Sequence, residues 1–206
     1  MQNPPQSNLK FLPIGVLITA ALIATAYFLG SPAPHLPVIS QVRPFQLTNQ
    51  LAQRITLDSL KGRVWVANII FTRCPGPCLK MTQQMAELVH AMRDQPKVSF
   101  VSLTTDPDFD TPEVLKRYSQ KVAANPERWR FLTGSKTEIA RLAVEDLKLT
   151  AVETRPEERS NPEDLFVHST LSVIVDTRGR VRAVVEALEP EGLTQLQTLL
   201  KNLLSE

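Results

Sequence analysis

Residues 64–78, Val-Trp-Val-Ala-Asn-Ile-Ile-Phe-Thr-Arg-Cys-Pro-Gly-Pro-Cys, decide the architecture. From Val64 to Phe71 the chain is almost wholly apolar and rich in β-branched residues. That composition marks a strand buried on both faces. Past Cys78 the period changes. Met81, Met85, Leu88 and Met92 fall on one helical face and predict a helix from Cys78 to Arg93. A doubly buried strand feeding a helix is the unit of an α/β layer fold. The loop between them holds Cys74 and Cys78, the only cysteines in the chain.

Downstream, residues 98–103 repeat the buried-strand pattern. Thr111-Pro112-Glu113 opens a helix, with threonine as N-cap and proline at the first helical position. Residues 129–132 form a short strand. Ser135 to Glu138 is a capping box for a helix through Asp146. A charged loop, about 150–164, leads to strands at 171–176 and 181–185, turned by Thr177-Arg178-Gly179. A last amphipathic helix covers about 190–204. Upstream, Phe45 to Leu47 reads as a short strand and 50–60 as a polar hairpin or turn. The alternation, closed by an antiparallel hairpin, predicts a mixed central sheet flanked by helices: a thioredoxin-like domain with insertions over 42–206. Sites in such sheets form at the carboxyl ends of strands, where Cys74 sits.

The N-terminus predicts a membrane anchor. Residues 11–30 carry no charge and match a ~30 Å bilayer core. Lys10 before the run, and no charge after it until Arg43, put residues 1–10 in the cytoplasm and the domain outside it. Ala24-Thr25-Ala26 offers the rival reading of a cleaved signal peptide. The apolar run continues past it, which favours an uncleaved anchor. Residues 31–41 are proline-rich and read as an extended tether. Either way the cysteines work where a disulfide persists. With 23 Lys and Arg against 21 Asp and Glu, the balance is too mild for a nucleic-acid binder. No repeat or apolar face asks for an oligomer, so a monomer is expected.

Thiols at a helix start acquire lowered pKa values and reactivity, so both cysteines are expected to be presented and easily deprotonated. Gly-Pro-Cys echoes the redox motif of thioredoxins, but three residues separate Cys74 from Cys78 where that motif has two. Tetrahedral zinc wants four ligands. Cu(I) accepts soft thiolates, and one further ligand would complete a trigonal site. Three histidines are available. His35 lies in the tether, and His90 lies on the cysteine helix off its apolar face. His168 stands just before the strand at 171, where a thioredoxin-like sheet brings a loop beside the cysteines. Its position alone leaves a ligand and a structural histidine equally open. The methionine stripe reads as core packing, with Met81 nearest Cys78. A peroxiredoxin reading fails, because Phe71 and Ala67 stand where Thr and Pro are needed.

Four segments in order resemble the SCO/SenC family over nearly all of 42–206. They are "NIIFTRCPGPC", "TTDPDFDTPEVLKRYSQ", "RWRFLTGS" and "VHSTLSVIVDTRG". The resemblance implies a membrane-anchored copper protein with Cu(I), and Cu(II) as a second state, on Cys74, Cys78 and His168. It implies delivery of copper, or of reducing equivalents, to the copper site of cytochrome c oxidase subunit II. Other copper chaperones or thioredoxin-like reductants are further expected partners. Asp106 and Asp110 fall on the family's acidic loop and are auxiliary candidates. The chain departs from the family's usual Cys-Pro-Asp-Val-Cys-Pro at Gly76, Pro77 and Leu79, and Val167 replaces a commonly acidic residue. The alternative is a thiol–disulfide oxidoreductase that uses the Cys74/Cys78 pair without copper transfer. Whether the chain is also an enzyme stays open between the two.

Overall fold

The structure is a computed structural model that describes residues 16, 19, 20, 22, 35–74, 76–154, 157 and 166–206. The side chains of 151–153 and 166–168 are excepted. The chain divides into units Met1–Pro34 and His35–Glu206. In the first, Val16, Thr19, Ala20 and Leu22 are helical. No described helix is long and apolar enough to cross a membrane. Most of the anchor expected at 11–30, and all of 1–10 and 31–34, lie outside the described residues.

The second unit is an eight-stranded mixed sheet with helices on both faces. Its strands are β1 (Ser40–Gln41), β2 (Gln46–Asn49), β3 (Arg54–Thr56), β4 (Val64–Ile70), β5 (Val98–Thr104), β6 (Trp129–Thr133), β9 (Leu171–Val175) and β10 (Arg180–Glu186), in the order β1-β10-β9-β4-β5-β6-β2-β3. β4 runs parallel to β5, in register Val64↔Val98 to Ile70↔Thr104, and β5 runs parallel to β6. β9 joins β4 antiparallel, from Trp65↔Val175 to Ala67↔Val173. All seven residues of β4 are buried, as its composition requires.

Alternation along β4 builds two cores. Trp65, Ala67 and Ile69 pack with Val101, Leu132, Val173 and, from the far face, Leu142 and Leu147. Val66 and Ile70 pack with Phe100, Phe131, Ile174 and the helices α1 (Pro77–Ala91), α2 (Pro112–Gln120) and α4 (Gly192–Ser205). Met85, Leu88 and Met92 fill this second core. Met81, also buried, borders a small hollow with Ser172, Ala187 and Leu193. The stripe is packing, as its spacing suggested.

Four local readings differ from the sequence expectation. α1 begins at Pro77 rather than Cys78, because proline lacks the N–H that the first helical position would leave unbonded. The helix expected at 135–146 is α3 (Lys136–Ala140) followed by a wider π-type turn, Arg141–Asp146, with Leu147 N–H donating to Leu142 O at 2.9 Å. The wider turn coincides with Asp146 accepting from Arg43 and Arg141. The charged loop near 150–164 is bounded by a hairpin, β7 (Ala151–Glu153) with β8 (Phe166–His168). Residues 35–41, part of the stretch 31–41 expected as an extended tether, are docked on the domain. β1 pairs with β10, and the buried Arg182 donates to the carbonyls of Leu36 and Pro37 at 2.5 and 3.2 Å. A short edge strand fixed by a distant arginine leaves no periodic trace.

Candidate metal centre

β4 delivers Phe71, Thr72, Arg73 and Cys74 to its carboxyl end, and the first turn of α1 delivers Cys78. Cys74 N–H donates to Phe71 O at 3.2 Å, turning the chain back toward the helix. Cys78 lies two residues after the N-cap Gly76, and its carbonyl accepts from Thr82 Oγ1 at 2.7 Å. Thr82 in turn shares a 2.9 Å hydrogen bond with Tyr118 on α2.

Both thiols were expected to be presented and easily ionised; the structure separates them. Cys74 is half-buried, and Cys78 is 1% exposed within the second core. A hydrogen bond with the Cys74 thiol, then burial, pushes the Cys78 thiol well up, against a backbone hydrogen bond at Phe71. Cys78 faces Phe71 and Met85 rather than water, so the field of the helix start does not prevail. The same inward turn brings the two sulfurs into contact. Thiols this close can grip one soft ion between them, or lose two electrons and two protons together and close a disulfide.

The acidic loop after β5 braces this arrangement. Asp110 is fully buried and accepts from Thr72 N–H at 3.1 Å and from the hydroxyls of Thr72 and Thr104. Burial raises its carboxyl above the usual range, while those hydroxyl and amide donors pull it back. Asp106 accepts from Arg73 Nη2 at 2.5 Å, and the Arg73 guanidinium lies 4.1 Å from the Phe109 ring centre. Both oxygens of Asp110 and the Oδ2 of Asp106 are therefore engaged with the loop that carries Cys74. Sequence reasoning missed Thr72, Arg73, Thr82 and Tyr118. Of these, only Thr72 and Arg73 carried a signal that could have found them, their place beside Cys74.

The three histidines part company. His35 lies 3.6 Å from Glu206, and His90 is an exposed neighbour of Arg93 on α1. His168 ends β8, with its backbone opposite Ala151, three residues ahead of β9. Its side chain, and that of Val167, lie outside the described residues. Among the described residues no cluster of three or more His, Cys, Asp or Glu forms a metal site.

The SCO1/SenC family model matches residues 37–201. The chain belongs to the SCO1/SenC family. It is 34% identical over 147 residues to the SCO1 protein homolog of Bacillus subtilis, covering 70% of this chain and 73% of that one. The fold matches BsSco, described as a member of the Sco family of cytochrome c oxidase assembly proteins with a disulfide switch. That match has a TM-score of 0.69 and 28% identity, over 82% of this chain and 97% of that one. It also matches Bradyrhizobium japonicum ScoI with copper bound, with a TM-score of 0.66 and 25% identity, over 80% and 99%. The chain is thus a thioredoxin-like α/β protein of a copper-binding family.

Proposed function

We propose that this chain is a membrane-anchored copper metallochaperone that carries Cu(I) on Cys74, Cys78 and His168. The observation that carries the reading is the thiol pair in contact at the carboxyl end of β4, one sulfur buried and the other half-exposed. The copper-bound relative supports the cargo. β9, which begins three residues after His168, lies antiparallel beside β4, the strand that leads to Cys74, and this neighbourhood supports His168 as a third ligand. A buried and a half-exposed sulfur suit release: an acceptor ligand displaces Cys74 first and copper leaves stepwise. Cu(II) is the second oxidation state of the same site. Asp110 and Asp106 serve it by holding Thr72 and Arg73.

The acceptor in this reading is the copper site of cytochrome c oxidase subunit II. It is supported by the assembly role given to BsSco. Residues 11–30 anchor a monomer, with 1–10 in the cytoplasm and the domain on the extracytoplasmic side. Mixing reduced, Cu(I)-loaded chain with copper-free subunit II tests the reading. It predicts that metal analysis of the separated proteins finds copper on subunit II as copper leaves this chain. An acceptor that stays copper-free overturns delivery.

A second reading is favoured by the same sulfur contact and by the relative's disulfide switch: reduction of the acceptor's cysteine pair. Cys74 and Cys78 would give two electrons and two protons to the acceptor disulfide and close their own. Thioredoxin-like reductants would then restore the dithiol by closing a disulfide of their own, while other copper chaperones are partners of the first reading, as donors of Cu(I). His168→Ala separates the readings, since it spoils copper binding and spares thiol exchange.

A further inference from the structure

We propose that the end of the domain carrying Val38, Ile39, Thr177 and Arg178 rests on a bilayer surface of anionic phospholipid headgroups. This inference builds on the anchor proposed above.

The first argument is where the chain leaves the domain. His35 and Leu36 are held at this end by Glu206, and Arg182 grips the carbonyl of Leu36 at 2.5 Å. Only residues 31–34 separate His35 from the expected end of the span. Even fully extended, that length reaches no more than about 20 Å. The grip on Leu36 prevents the domain from gaining reach by peeling off its stem.

The second argument is the chemistry of this end. An open cleft of about 450 Å³ is lined by His35, Val38, Thr177, Arg178, Arg180 and Arg182, among others. Its carboxylates are spoken for: Asp176 accepts from Arg180 and Arg182, and Glu206 from Arg182. Arg178 is exposed at the tip of the turn between β9 and β10. Lys61 and Lys97 are exposed on the adjoining loops, next to Thr177 and Val64, with Lys61 shared with Asp58. Beside these cations Val38 and Ile39 are 53% and 45% exposed. A soluble anion would use the cleft alone and leave those two side chains in water. Apolar side chains flanked by cations match a headgroup layer, which takes both.

The third argument is direction. Val64 starts β4 at this end and Cys74 follows its other end. Seven residues of strand span about 23 Å. Standing on the Arg178 end, the domain holds its thiol pair away from the lipid, toward a partner's extramembrane part.

The test uses the full chain in nanodiscs of phosphatidylcholine, alone or enriched in phosphatidylglycerol, doped with a headgroup-chelated gadolinium lipid. Amide relaxation is read by NMR. Broadening centred on residues 38–39, 61, 97 and 177–178, stronger with phosphatidylglycerol and absent at 76–80, supports the inference. Arg178→Gln should weaken partitioning of this end onto anionic lipid about fivefold, and Val38→Ser with Ile39→Ser should reduce it in both lipids. Broadening that is uniform, or strongest at 76–80, overturns it. So do saturable shifts around Arg178 with inorganic phosphate but no dependence on lipid. Flotation of the full chain with vesicles in high salt is run alongside. A chain that does not float sinks the anchor reading and this inference with it. A chain that floats without the expected pattern sinks this inference alone.

Discussion

Asp110 shows how one buried carboxylate sets the cysteine loop. Its oxygens accept the Thr72 amide and the hydroxyls of Thr72 and Thr104, so the end of β5 and the approach to Cys74 share one acceptor. Asp110→Ala leaves those buried donors without it and should cost about 2–3 kcal/mol, seen as a lower urea midpoint at unchanged slope. The variant should also bind Cu(I) more weakly, while Asp110→Asn, which keeps an acceptor for the Thr72 amide, recovers most of the stability. Equal stability of wild type and Asp110→Ala would show the loop is set by other means. Gly76 is a milder case. An added Cβ there meets nothing within 4 Å, so Gly76→Asp should fold with stability changed by no more than about 0.5 kcal/mol. A copper titration of that variant then reads the effect of the acidic residue this chain lacks. At this scale Cys74 and Cys78 were legible from residue type and position. The fates of Asp106 and Asp110 were not, because their partners Arg73 and Thr72 are more than thirty residues away in sequence.

Local sequence signals placed the elements where burial or capping is strong. β4 and β5 announced themselves by apolar content and proved buried along their length. The caps expected at Thr111 and Ser135 are both made, accepting from Val114 N–H and Glu138 N–H. What escaped were β1, the hairpin β7–β8 and the π-type turn. These are short pieces held by distant partners rather than by their own periodicity. α1 bears the most weight, since it carries Cys78 on one turn and core residues on the next. Leu88 is fully buried, and Leu88→Ala should cost about 2–5 kcal/mol. Thermal unfolding followed by circular dichroism checks this. A loss much below 1 kcal/mol would mean α1 is not anchored by that core.

Across the whole molecule, two ends of one sheet carry different duties. The stem end is closed by Arg182, 4% exposed, joining Asp176, Glu206 and the stem carbonyls. Burial pushes the Asp176 carboxyl up, but the Arg180 amide and guanidinium, the Arg178 amide and Arg182 outweigh it, leaving it below the usual range. A carboxyl held low in the folded state contributes stability that is complete above its unfolded pKa of about 3.9. That stability is lost as pH falls through the folded value. Asp176→Asn should therefore cost about 3 kcal/mol at pH ~7, and its deficit against wild type should shrink below pH ~4. Urea titrations at the two pH values decide it; a deficit that grows in acid would contradict the assignment. The opposite end carries the thiol pair, and the account stands on what that pair binds. The most direct measurement is a Cu(I) titration of the reduced full chain in detergent against a competing chelator, with wild type and His168→Ala side by side. The account predicts one tightly held Cu(I) per chain and a loss of affinity of about a hundredfold or more in the variant. Equal affinity in the two proteins, or weak binding in both, would contradict it.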